Sequence, residues 1–147
     1  MRLVPASRAH VGPIAVRMRA HDRAECAAFG CDPKTALRRS LAASSIAVTA
    51  LIDGRPEAMM GMEVRSAVEG LGAPWMLATD EAYRHGRDML RLGSPLLDHL
   101  ADSMRRLVGV VGADNARAIR VLRRWGFTVE GGTMIGGMAF LRFEMER

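Results

Sequence analysis

The sequence predicts an α/β (α+β) fold, with one mixed, mostly antiparallel sheet flanked by helices. Three observations carry that expectation. Residues 107–111, LVGVV, form a short valine-rich run without period-2 alternation, as a strand covered on both faces requires. A helical pattern follows: Ala118, Val121, Leu122 and Trp125 share one face, Ile119 lies at its margin, and Arg117, Arg120, Arg123 and Arg124 fill the other side. Residues 46–52 and 57–64, IAVTALI and EAMMGMEV, read as a hairpin about an Asp53-Gly54 turn.

The other elements follow in order. Residues 2–4 make a first strand, closed by Pro5. Val11, Ile14, Ala15 and Met18 fall on one helical face, and Pro13 suits its first turn. Residues 22–29 form a second helix stopped by Gly30, and Asp32-Pro33 caps a third over residues 33–43. Gly61 is a candidate bulge in the second hairpin strand, and residues 65–74 read as a loop. Residues 75–79, WMLAT, are a short strand, with Asp80 and Glu81 opening a helix to about residue 92. The Gly93-Ser94-Pro95 break then starts another helix, reaching residue 106. Asp114 or Asn115 caps the arginine-rich helix, and Gly126 stops it. Two last strands are interrupted by glycine pairs at 131–132 and 136–137; in the second, Ala139, Leu141, Phe143 and Met145 alternate with a wetter face.

At 147 residues, with 49% apolar and 25% charged content, the chain suits one globular domain, 1–147. The N-terminal residues lack a signal-peptide core and no apolar run is long enough to cross a membrane, so a cytoplasmic protein is expected. Cys26, Cys31, His10 and His21 have no metal-ligand spacing. The net charge of +5 suits an anionic partner or a nucleotide-bearing cofactor. A nucleic-acid partner is disfavoured, because seven aromatic residues offer few stacking platforms beside the arginine face.

Asn115, Ala118, Ile119, Leu122, Gly126 and Phe127 match an N-x-x-A-I-x-x-(Y/L)-x-x-x-G-F pattern. With the hairpin and the element order, the chain resembles the GNAT superfamily of N-acetyltransferases. That resemblance implies acetyl transfer from acetyl-CoA to an amine without a covalent enzyme intermediate. It implies a strand backbone at Leu77, Ala78 and Thr79 that orients the thioester and polarises its carbonyl. It places Arg84 and Gly86 toward the pyrophosphate and Asn115 toward the pantetheine or the attacking group. The family's phosphate loop, (Q/R)-x-x-G-x-(G/A), aligns with Arg84-His85-Gly86-Arg87-Asp88-Met89, so its glycine positions hold Arg87 and Met89. The family's acid tyrosine aligns with Leu122, which leaves Glu63, Asp80 and Glu81, and also His85, as candidate acid–base groups. The chain also resembles a narrower group of small phage proteins, of the internal virion protein A kind, that look like degraded acetyltransferases. That likeness implies a virion or assembly role with phage virion partners. Homodimers are frequent among GNAT-like proteins.

Overall fold

A computed structural model describes residues 1–147. The elements are β1 (Arg2–Pro5), α1 (Val11–Val16), α2 (Ala20–Ala28), α3 (Pro33–Ala43), β2 (Ser44–Ile52), β3 (Arg55–Ser66), β4 (Leu71–Ala78), α4 (Asp80–Arg84), α5 (Gly86–Leu100), β5 (Arg106–Gly112), α6 (Ala116–Arg124), β6 (Thr128–Ile135) and β7 (Met138–Glu146). The seven strands form one sheet in the order β1-β2-β3-β4-β5-β7-β6. Every neighbouring pair is antiparallel except β4 and β5. Helices α1–α3 cover one face around Ile14, Leu37 and Met59, while α4–α6 cover the other around Met60, Leu96, Leu97, Leu107 and Val121.

The parallel pair holds for only two residues, Leu71 opposite Arg106 and Gly72 opposite Leu107, before the strands part. The sequence supplies a reason. The N–H of Thr79 bonds the Glu57 carbonyl at 2.8 Å. Alternation along the β3–β4 register therefore turns the N–H groups of odd residues toward β3 and those of even residues toward β5. Pro74 stands at the first even position beyond the paired residues and has no N–H to give. From there the sheet opens as a V, with β4 as one arm and β5 as the other.

Several expectations require correction. Residues 65–74 are not one loop: β3 runs to Ser66 and β4 begins at Leu71, leaving a four-residue turn. Gly61 is not a bulge, since the ladder irregularities lie elsewhere; a β-carbon there would sit 2.8 Å from the Trp75 indole nitrogen, so its bareness makes room for that ring. The break expected at residues 93–95 falls instead at His85, and α5 continues through Pro95. Burial outweighs the lost hydrogen bond there. Leu96, Leu97 and Leu100 are in the core, and Gly93 is pressed against Trp125, whose Cδ1 would lie 2.5 Å from an added β-carbon. In β7, Phe140 faces away from Phe143 yet is just as buried, because the α2 end brings Phe29 edge-on at 5.6 Å.

Candidate functional site

The open V is lined mainly by apolar side chains and encloses a cavity of about 330 Å³. Its walls are Trp75, Met76 and Leu77 of β4, Val110 and Val111 of β5, Leu96 and Leu97 of α5, Val121 and Leu122 of α6, and Trp125, which caps the end of α6. The cavity passes through the sheet: on the opposite face it reaches Glu25, Phe29 and Cys31 at the end of α2, and Ala36, Arg39 and Ser40 of α3. Between α5 and α6 the Trp125 indole N–H donates to the Met89 carbonyl at 3.2 Å, tying the two helices together.

Helix α2 straddles the open end. Asp22 accepts the Ala78 N–H at 2.8 Å, and Glu25 accepts the Gly112 N–H at 2.5 Å. Each is the last amide of its strand, and both belong to the even-numbered set that faces the gap. The Ala78 carbonyl also accepts the Arg19 N–H at 3.0 Å, so both edge groups of the final β4 residue are satisfied by the start of α2. Two carboxylates one helical turn apart thus hold the two arms of the V. A buried polar network supports them. Arg19 Nη1 donates to Asp22 and to the Asn115 side-chain oxygen, each at 3.0 Å, and the guanidinium lies 4.1 Å over the Tyr83 ring. Asn115 Nδ2 reaches Glu25 at 3.4 Å.

Burial pushes the Asp22 carboxyl from its ordinary 3.8 up to about 7, against the opposing pull of Arg19 and the Ala78 N–H. Burial also raises Glu25, opposed by its hydrogen bonds from Gly112 and Asn115. Tyr83 is raised by the same loss of solvent. A carboxyl raised on folding holds its proton where the unfolded chain has lost it. Its contribution to stability is therefore complete below pH 3.8 and is lost as pH rises through about 7. The melting temperature is expected to rise between pH 8 and pH 5. Asp22→Asn is expected to shrink that rise by roughly 5–10 °C. Calorimetric scans of both proteins at the two pH values check this, and an unchanged slope would contradict it.

None of the candidate acid–base groups read from sequence lines the cavity. Glu63 lies opposite Ala73 at the closed end of the V, roughly 17 Å along the strand from Ala78. Glu81 is bound to Arg84 at 2.8 Å and to His85 at 3.3 Å; the Arg84 hydrogen bond outweighs burial and holds its carboxyl below the ordinary value. Asp80 is exposed in the first turn of α4, whose N-cap is Thr79. The Thr79 hydroxyl donates to Glu57 at 2.6 Å, and Glu57 also takes Arg17 at 2.5 Å and Arg55 at 2.8 Å. Asn115 holds the N-cap position of α6, but its side chain makes no cap and serves the Arg19–Glu25 network instead.

Leu77 lines the cavity, Ala78 is buried with its amide engaged by Asp22, and Gly86 opens α5. Arg84 is exposed and paired with Glu81. Asp22 and Glu25 went unread in the sequence. Their signal was slight: on the 22, 25, 26, 29 face of α2 they share a stripe with Cys26 and Phe29, where carboxylates would not be expected unless partnered.

No protein-family model matches the sequence, and no curated protein matches it by sequence. Solved structures do match by fold. One is a GNAT-family acetyltransferase from Bacillus anthracis, with a TM-score of 0.71 at 10% identity, covering 98% of this chain and 93% of that one. A second is a ribosomal-protein-alanine N-acetyltransferase from Brucella melitensis, with a TM-score of 0.69 at 12% identity and full coverage of both chains. A third is the aminoglycoside acetyltransferase AAC(6')-Ib in complex with coenzyme A, with a TM-score of 0.70 at 16% identity, covering 99% of this chain and 94% of that one. The mixed sheet and its flanking helices are those of the GNAT acetyltransferase fold.

Proposed function

We propose that this chain is an N-acyltransferase that moves an acetyl group from acetyl-CoA to an amine, with the gap between β4 and β5 as the donor site. The observation that carries the proposal is the V itself. Pro74 opens an apolar slot whose β4 edge presents outward-turned amide groups beside Leu77 and Ala78. Such a slot fits a thin acyl-bearing chain, and a preset amide is the kind of donor that stabilises the oxyanion of acyl transfer. The Met76 N–H faces the gap in a part of β4 that β5 does not pair, and it takes the role that the sequence resemblance gave to the backbone at Leu77, Ala78 and Thr79. The fit at the diphosphate end is poorer. Arg84 is committed to Glu81, Asp88 lies in the first turn of α5, and no glycine loop offers backbone donors. The donor is therefore held mainly through its acyl-pantetheine part, with Arg87, exposed at the start of α5, as the side-chain contact to phosphate.

The expected outcome is that acetyl-CoA and acetyl-pantetheine both raise the melting temperature, with affinities within about tenfold of each other. Failure of both to stabilise the protein at millimolar concentration would remove the proposal.

One observation favours a second reading, a non-catalytic descendant of the same fold: the terminal amides of both arms are already taken by Asp22 and Glu25. Acetyl-CoA that binds without any transfer to a panel of amines would select it. The structures named above lend the narrower phage resemblance no support.

A further inference from the structure

Glu25 and Arg39 are the two charged residues that line a cavity otherwise made almost wholly of apolar side chains. They stand on α2 and α3, both on the face away from α5 and α6, with Phe29, Trp75 and Leu77 among the apolar walls. Their hydrogen bonding leaves them available. Glu25 receives Gly112 and Asn115 on Oε1, and its Oε2 has no partner in the protein. No buried side-chain oxygen or nitrogen lacks a partner, so Oε2 is open to solvent or ligand. Arg39 is exposed and gives one N–H to the Cys31 sulfur at 3.2 Å, leaving its others free.

A cavity with one anion, one cation and otherwise mostly apolar walls is complementary to a molecule carrying the opposite pair. We propose that the acyl acceptor is an apolar amino carboxylate, its ammonium on Glu25 and its carboxylate on Arg39, and that Glu25 is the general base. The proposal rests on the acyltransferase reading above. Glu25 Oε2 takes one proton from the ammonium, and the freed nitrogen attacks the thioester carbonyl. The C–N bond forms, the C–S bond breaks, and the second nitrogen proton goes to the departing thiolate. An amide, a thiol and one proton bound to Glu25 result. Burial of Glu25 suits this task, since a raised carboxyl is better matched to an ammonium proton. The charged and titratable groups that face it are Arg19, His21, Asp22, Cys26 and Tyr83.

Calorimetric titration tests the charge pair without any donor present. The probes are L-phenylalanine and 6-aminohexanoate, which differ in charge spacing, each set against its analogue without a carboxylate, phenethylamine and hexylamine. At least one amino carboxylate is expected to bind about tenfold or more tighter than its matched amine. Arg39→Ala is expected to erase that difference, and Glu25→Gln to weaken both members of the pair. Glu25→Gln keeps an acceptor for the Gly112 N–H, so its melting temperature stays near that of the wild type. With donor present, the variant is expected to lose about 100-fold or more in kcat, along with the wild-type acidic limb of the pH profile. Equal binding of amine and amino carboxylate, or an unaltered pH profile in Glu25→Gln, would overturn the assignment. Tight amino-carboxylate binding by a protein that ignores acetyl-CoA would instead remove the acyltransferase reading and leave the charge-paired pocket standing.

Discussion

Replacing Gly136 with alanine is expected to lower the unfolding free energy by roughly 3 kcal/mol or more, a fall of about 10 °C in melting temperature for a chain of this length. Two costs add. Gly136 has φ of +55°, a left-handed conformation that costs a side-chain-bearing residue about 1 kcal/mol or more. The larger cost is steric. A β-carbon would overlap the Ala28 carbonyl oxygen and stand 2.9 Å from its carbon, and this is backbone that cannot rotate away. Gly136 is where the β6–β7 hairpin meets the end of α2, the helix that holds both arms of the V. The same substitution at the adjacent Gly137, which has φ of +78° but open space around it, isolates the conformational cost. Denaturant unfolding of the two variants should place Gly136→Ala well below Gly137→Ala. Equal losses would show that the hairpin tip and α2 do not pack as described.

The second large effect concerns the cavity. Val110 is half-buried on the β5 arm and lines the gap. A tryptophan there adds bulk to a space of about 330 Å³ without disturbing a hydrogen bond of the polar network. Val110→Trp is expected to abolish the thermal stabilisation by acetyl-CoA, a loss of about 100-fold in affinity, while shifting the ligand-free melting temperature by only a few degrees. An unchanged response to acetyl-CoA would mean that the donor lies outside the gap.

Much of the fold was legible because local signals agreed with one another. The Asp32-Pro33 cap is made as expected, with Asp32 accepting the Thr35 N–H at 2.8 Å. Gly126 has φ of +101° at the end of α6, and the Asp53-Gly54 turn joins β2 to β3. The errors fell where tertiary contacts override local preference. Pro95 looks like a helix start, yet the burial of Leu96, Leu97 and Leu100 carries α5 through it. Asn115 looks like a cap, yet a partner 96 residues away in sequence, Arg19, takes its side-chain oxygen.

The candidate site was less legible than the fold. Its shape follows from a strand that stops pairing, and its carboxylates are functional candidates only because α2 lies across both strand ends. Neither fact has a local pattern. Pro74 carried part of the signal, since a proline next to an apolar strand marks a place where a neighbour cannot be hydrogen-bonded.

The central claim is that an acyl thioester occupies the gap between β4 and β5 against the amide edge of β4. An amide-resolved NMR titration with acetyl-CoA tests it directly. The predicted result is that the Met76, Ala78 and Gly112 N–H resonances shift together and saturate at one dissociation constant, with Val110 and Leu77 moving alongside them. Shifts confined to exposed arginines of α6, or no shift in those three amides at saturating acetyl-CoA, would contradict it.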